Sequence, residues 1–201
     1  MSVRVCFFGD SFVNGTGDDD GLGWVGRLCA AERRAGADLT AYNLGVRRDT
    51  SADIRGRWRR EAEARLPSEY DGRLVFSFGV NDCAALADGA PRIAMAAALG
   101  NARAILGEAS AWLPTLVVGP LPVTESAAQN ERVVALSEGL AVICAGVGVP
   151  FFSALAFSTA AHEIWRAEAA RGDGVHPNSR SYAALAETVR AWPAWRGWFA
   201  G

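Results

Sequence analysis

Val5-Cys6-Phe7-Phe8-Gly9-Asp10-Ser11-Phe12-Val13-Asn14-Gly15 sets an apolar run against a small polar turn. The run begins at Val3 and is short enough for a buried strand, so Gly9-Asp10-Ser11 falls where that strand ends. In an open parallel α/β sheet, ligands bind outside the carboxyl ends of the strands, which makes the first such turn a favoured place for a reactive group. Alone, the triplet also suits an ordinary βα loop in which Gly turns the chain, Asp10 makes a turn hydrogen bond and Ser11 caps the next helix. The rest of the chain has to decide between these readings.

Outward from this turn, strand-like and helix-like segments alternate. Leu22 to Arg34 carries Leu22, Val25, Leu28 and Cys29 on one helical face, and Leu39 to Leu44 reads as a second strand before Gly45. Thr50-Ser51-Ala52-Asp53 starts a helix reaching about Leu66, whose many arginines have Glu61 and Glu63 at i+4 spacing, as on a solvated salt-bridged face. Arg73 to Phe78 is a third strand, followed by Gly79-Val80-Asn81-Asp82. A helix from about Pro91 to Trp112, with proline in its first turn, leads to a strand over Thr115 to Val118. A helix from about Ala128 to Ala145 and a short strand over Val149 to Phe152 come next. Ser153 to Gly172 reads as a long connection, and Ser179 to Ala191 as a last amphipathic helix. Five such alternations predict an α/β fold of three layers, a doubly wound five-stranded parallel sheet in the order 2-1-3-4-5. That order opens the turns holding Gly45, Ser11 and Asn81 onto one crevice.

Composition narrows the chemistry. The chain has 201 residues, half of them hydrophobic, and a net charge of -2, which suits a single domain over residues 1–201 and gives no reason to expect nucleic acid as a partner. All 20 basic side chains are arginine, so a pyridoxal Schiff base, a Walker lysine and a Ser-Lys dyad are excluded. Cys6, Cys29, Cys83 and Cys144 form no C-x-x-C pair and read as buried reduced thiols, so neither metal nor other cofactor is expected. Asp18, Asp19 and Asp20 read as an exposed acidic loop. No signal-like segment precedes Val3, and Gly146, Gly148 and Pro150 interrupt the apolar stretch from Gly139 to Phe157, so a cytoplasmic location without stable membrane insertion is expected.

Two histidines are present, His162 and His176, the second in Asp173-Gly174-Val175-His176-Pro177. A serine becomes a useful nucleophile when an imidazole takes its proton, and that imidazole needs an acceptor on its other nitrogen. Asp173 can supply one from three residues away; His162 has no acid at that spacing.

Taken together, Gly9-Asp10-Ser11, Gly45, Gly79-Val80-Asn81-Asp82 and Asp173-Gly174-Val175-His176 resemble, in order, the four sequence blocks of the GDSL esterases and lipases, also called SGNH hydrolases. The resemblance spans almost the whole chain and implies the SGNH hydrolase fold. It implies a serine esterase acting through an acyl-enzyme on a small-molecule ester, with Ser11 as nucleophile, His176 as base and Asp173 as its orienting acid. It also implies an oxyanion hole built from the N–H of Ser11, the N–H of Gly45 and the side chain of Asn81, the glycines at 45 and 79 letting backbone approach the ligand. Arg47 and Trp165 are candidates for substrate binding, Trp165 because the 153–172 connection must cross the crevice mouth, as pocket wall or as core cover. Ser11 lies outside any G-x-S-x-G elbow, so the α/β-hydrolase fold is not implied. Receiver and flavodoxin-like domains share the strand order but leave Asp173 and His176 without a role. A binding module that kept the fold without catalysis is the competing reading.

Overall fold

The computed structural model describes residues 2–123 and 126–199, with the side chains of residues 156 and 158–162 excepted. Five parallel strands form one sheet in the order β2-β1-β3-β4-β5: β1 Val3–Gly9, β2 Leu39–Gly45, β3 Asp71–Ser77, β4 Thr115–Val118 and β5 Phe151–Phe152. β1 lies between β2 and β3 with its last residue, Gly9, opposite both Gly45 and Ser77. Three strands therefore end level, and the chain leaving each of them opens on the same edge.

The period of two along β1 separates two cores. Val3, Val5 and Phe7 face one layer with Trp24, Leu28, Tyr182, Leu185 and Trp195, from α2 Gly23–Arg34, α7 Ser179–Ala191 and the short α8 Pro193–Arg196. Cys6 and Phe8 face the other with Ile54, Trp58, Ile105 and Leu136, from α3 Ser51–Glu63, α4 Met95–Ser110 and α5 Ala127–Gly146. Both faces of β1 being covered, its sequence is nearly continuous in apolar residues.

Helix ends follow local chemistry. The Thr50 hydroxyl accepts from the Asp53 N–H and the Asp53 carboxylate accepts from the Thr50 N–H, a reciprocal cap that starts α3. Arg57 and Arg59 pair with Glu61 and Glu63 as the spacing predicts. α4 does not begin at Pro91. Pro91 bridges to Ala85 across a small turn at Asp88 and Gly89, and this hairpin delays the helix to Met95.

The largest departure from the sequence reading is the 153–172 segment, which is a helix, α6 Ala154–Arg171, of 18 residues. At about 1.5 Å per residue such a helix spans roughly 27 Å, ample for the three strand spacings, about 14 Å, from β5 back to β1. His162 belongs to this helix, but its side chain lies outside the described residues. No helix among the described residues is long and apolar enough to cross a membrane.

Candidate active site

The turn after β1 becomes a four-residue helix, α1 Ser11–Asn14, capped by Asp10, whose Oδ1 accepts the Phe12 N–H at 3.0 Å. Ser11 thus occupies the first helical position at the carboxyl edge, and its Oγ lies 2.7 Å from Nε2 of His176. On the far side of the imidazole, Nδ1 lies 2.7 Å from Oδ2 of Asp173. Asp173 also accepts the backbone N–H groups of His176 and Val175, at 2.9 and 3.1 Å, so one carboxylate orients both the ring and the chain that carries it. Burial raises its pKa, but these hydrogen bonds outweigh that and hold it at about 2, so Asp173 is ionised across the neutral range.

The turns after β2 and β3 complete the edge. Nδ2 of Asn81 donates to the carbonyl of Asp49 at 3.0 Å, which uses one of its two hydrogens. Asp82, beside it, turns away and accepts the N–H and hydroxyl of Ser51, anchoring the start of α3. Arg57 reaches from α3 to the carbonyls of Leu44 and Gly9, at 2.8 and 3.3 Å, and binds the Asp49 carboxylate at 2.7 Å. Arg92 donates to the carbonyl of Arg48 at 3.0 Å. The Val46–Asp49 loop is therefore held from two sides.

Gly45 is corrected by this geometry. Its N–H donates to Oδ1 of Asn43 at 3.0 Å and is not free for a ligand. A Cβ at position 45 would lie 2.2 Å from the backbone nitrogen of Asn14, so glycine is needed here for close packing of β2 on α1. Gly79 likewise meets protein, with φ of 117° and Leu136 filling the place of a side chain. Arg48, beyond Gly45 in the same loop, is a cleft-lining residue that the sequence does not single out for its backbone. Its φ of 71° makes it the one non-glycine residue with positive φ among those described, and its N–H has no hydrogen-bond partner among them. The sequence carries no glycine signal at this position, so the left-handed turn could not be anticipated.

A cleft of about 250 Å³ collects Ser11, His176, Asn81, Arg47 and Arg48, with Val80 and Val123 on its apolar side. Two larger grooves, each about 630 Å³, lie along α2 and α7 among Arg190, Glu187 and their neighbours, away from Ser11. Trp165 is in neither place. It is 1% exposed and stacks under Phe12 with ring centroids 5.8 Å apart, Phe12 in turn lying 5.0 Å from the His176 ring. Of the two roles the sequence leaves open to it, the structure gives it that of core.

Asp18 is no exposed acid. Its carboxylate is fully buried against Arg27, the Ser179 hydroxyl and the N–H groups of Leu22 and Gly23. Burial works to raise its pKa, yet these partners bring it well below the usual carboxylate range. The four cysteines are buried and burial pushes each thiol up to about 12, which leaves them protonated and unreactive. No cluster that could hold a metal ion occurs among the described residues.

A level row of turns at the carboxyl edge of a 2-1-3-4-5 sheet carries serine, histidine and aspartate in one hydrogen-bonded line. The model of the GDSL-like lipase/acylhydrolase family matches residues 7–184, and the chain belongs to that family. A lipase/acylhydrolase from Enterococcus faecalis shares the fold at 20% identity and a TM-score of 0.77, over 98% of this chain and 97% of that one. An acetylxylan esterase from Geobacillus stearothermophilus does so at 16% identity and a TM-score of 0.75, over 95% of each chain. None of the curated proteins compared with the chain matches it.

Proposed function

We propose that the protein hydrolyses carboxylic esters of small molecules in two steps through an acyl-enzyme on Ser11. The observation that carries the reading is the line Ser11 Oγ, His176 Nε2, His176 Nδ1, Asp173 Oδ2, with 2.7 Å at both of its hydrogen bonds. His176 takes the Ser11 proton as Oγ attacks the acyl carbon, then passes it to the departing alcohol oxygen. Asp173 keeps Nδ1 protonated, leaving Nε2 as the base, and stabilises the imidazolium. Water, deprotonated by His176, then attacks the acyl-serine and releases the acid.

The negative charge on the tetrahedral oxygen needs donors already in place. Two are the Ser11 N–H, at a first helical position that has no intrahelical partner, and the second Nδ2 hydrogen of Asn81. For the third, the unpaired N–H of Arg48 replaces that of Gly45, and the Arg57 and Arg92 contacts keep its loop in place before substrate arrives. A cleft of about 250 Å³ favours short acyl groups over long chains.

Pre-steady-state hydrolysis of 4-nitrophenyl acetate tests this. A burst of nitrophenol equal to the enzyme concentration, absent in Ser11→Ala, is expected; equal turnover by the folded variant would remove the reading.

A further inference from the structure

We propose that the cleft selects esters bearing a negative charge close to the scissile bond, with the Arg48 guanidinium as the recognising group and Arg47 in support. The inference rests on the esterase reading and adds the substrate class to it. Among the described residues lining the cleft there are two arginines, both exposed, and no acidic residue, in a chain whose overall charge is negative. Arg47 lies 4.0 Å from Asp173, with both side chains partly exposed. Arg48 makes no ion pair and no side-chain hydrogen bond among the described residues; Arg34, Arg60 and Arg103 share this, but of the four only Arg48 lines the cleft.

The backbone sharpens the argument. A φ of 71° is where glycine fits without strain, so arginine is kept there at a small backbone cost, as it would be if its side chain has a use in the cleft. Arg92, bound to the Arg48 carbonyl, and Arg57, bound to the next residue, hold the loop so that the strained residue cannot relax outward. A guanidinium offers forked N–H donors that match a carboxylate or phosphate, and a walled cleft strengthens the attraction relative to an open surface.

The test compares matched esters. On the alcohol side, 4-acetoxybenzoate is set against 4-acetoxybenzamide; on the acyl side, monoethyl succinate against ethyl butyrate. Each kcat/KM is divided by the ester's own rate of alkaline hydrolysis. In one of the two pairs, which locates the charge, the wild type should favour the anion by about tenfold, the scale of one charge-assisted hydrogen bond. The preference should weaken in about 0.5 M NaCl through screening. Arg48→Gln should bring the ratio close to one, Arg48→Gly should do the same, and Arg47→Gln should lower it in part. Because both esters of a pair share one enzyme, any change in the oxyanion hole cancels from the ratio. Hydrolysis of the neutral esters with no preference for either anion, or a preference that survives in Arg48→Gln, overturns the proposal and spares the esterase reading. Failure to hydrolyse any of the four by an enzyme that still gives the nitrophenol burst overturns the proposal; failure with no burst removes the esterase reading as well.

Discussion

Nε2 of His176 stands 2.7 Å from Oγ of Ser11 although the two residues are 165 positions apart. Ser11 is placed by the end of β1, and His176 by the return of the chain along α6 and by Asp173, which binds both its ring and its N–H. Removing the imidazole takes away the proposed base and its ring contact with Asp173, while the Asp173 contacts to the backbone N–H groups remain. His176→Ala should lose about three orders of magnitude or more in kcat, as for members of a triad acting as a unit, with a melting temperature near that of the wild type. Single-turnover kinetics and thermal denaturation on one preparation check both halves.

Asn81 and Gly45 should fail in different ways. In the proposed role, Asn81→Ala removes a donor to the charge that develops in the transition state, so kcat should fall about a hundredfold with little change in KM. Gly45→Ala forces a Cβ to within 2.2 Å of the Asn14 nitrogen and should appear as lost stability. A Gly45→Ala protein that melts like the wild type would contradict this packing role.

Trp165→Ala should behave as a core truncation, costing about 3–5 kcal/mol by chemical denaturation. Activity on acetyl, butyryl and octanoyl esters should then decline in parallel. A changed preference between short and long acyl chains at undiminished stability would put the indole in the pocket wall.

Much of this arrangement is legible in the residues, because the signals are short-range. β1 is apolar on both faces, the Thr50 and Asp53 cap is four residues long, and Asp173 lies one turn before His176. What escapes depends on contacts far along the chain. α6 is rich in alanine and free of proline and glycine, but its burial of Trp165 and Ala169 is set by α7 and α1, and its sequence pattern alone did not stand out from a loop. Pro91 has the residue type of a helix start and is half of a bridge to Ala85. Gly45 carried the attractive residue type, while the free N–H belongs to Arg48, whose conformation comes from the loop and not from its own propensity.

Asp10 gives the stability a pH signature. Burial, offset in part by the Phe12 N–H, raises its pKa from 3.8 to about 7, and its Oδ2 is buried without a partner among the described residues. The unfolded chain releases this proton near pH 4 and the folded protein holds it to about 7, so the contribution is complete below the lower value and lost as pH rises through the upper one. Asp10→Asn keeps an acceptor for Phe12 and cannot ionise. Its melting temperature relative to wild type should therefore rise by several degrees between pH 4 and pH 8. A difference that stays constant over that range would mean that Asp10 titrates normally in the fold.

The nucleophile itself can be read by mass. Treatment with diethyl 4-nitrophenyl phosphate, followed by intact-mass measurement and peptide mapping, should find one diethylphosphoryl group on the Ser11 peptide, rising in proportion to the activity lost, and none on Ser11→Ala. Inactivation with the label on another residue, or a Ser11→Ala protein labelled as fast as the wild type, would contradict the assignment of Ser11.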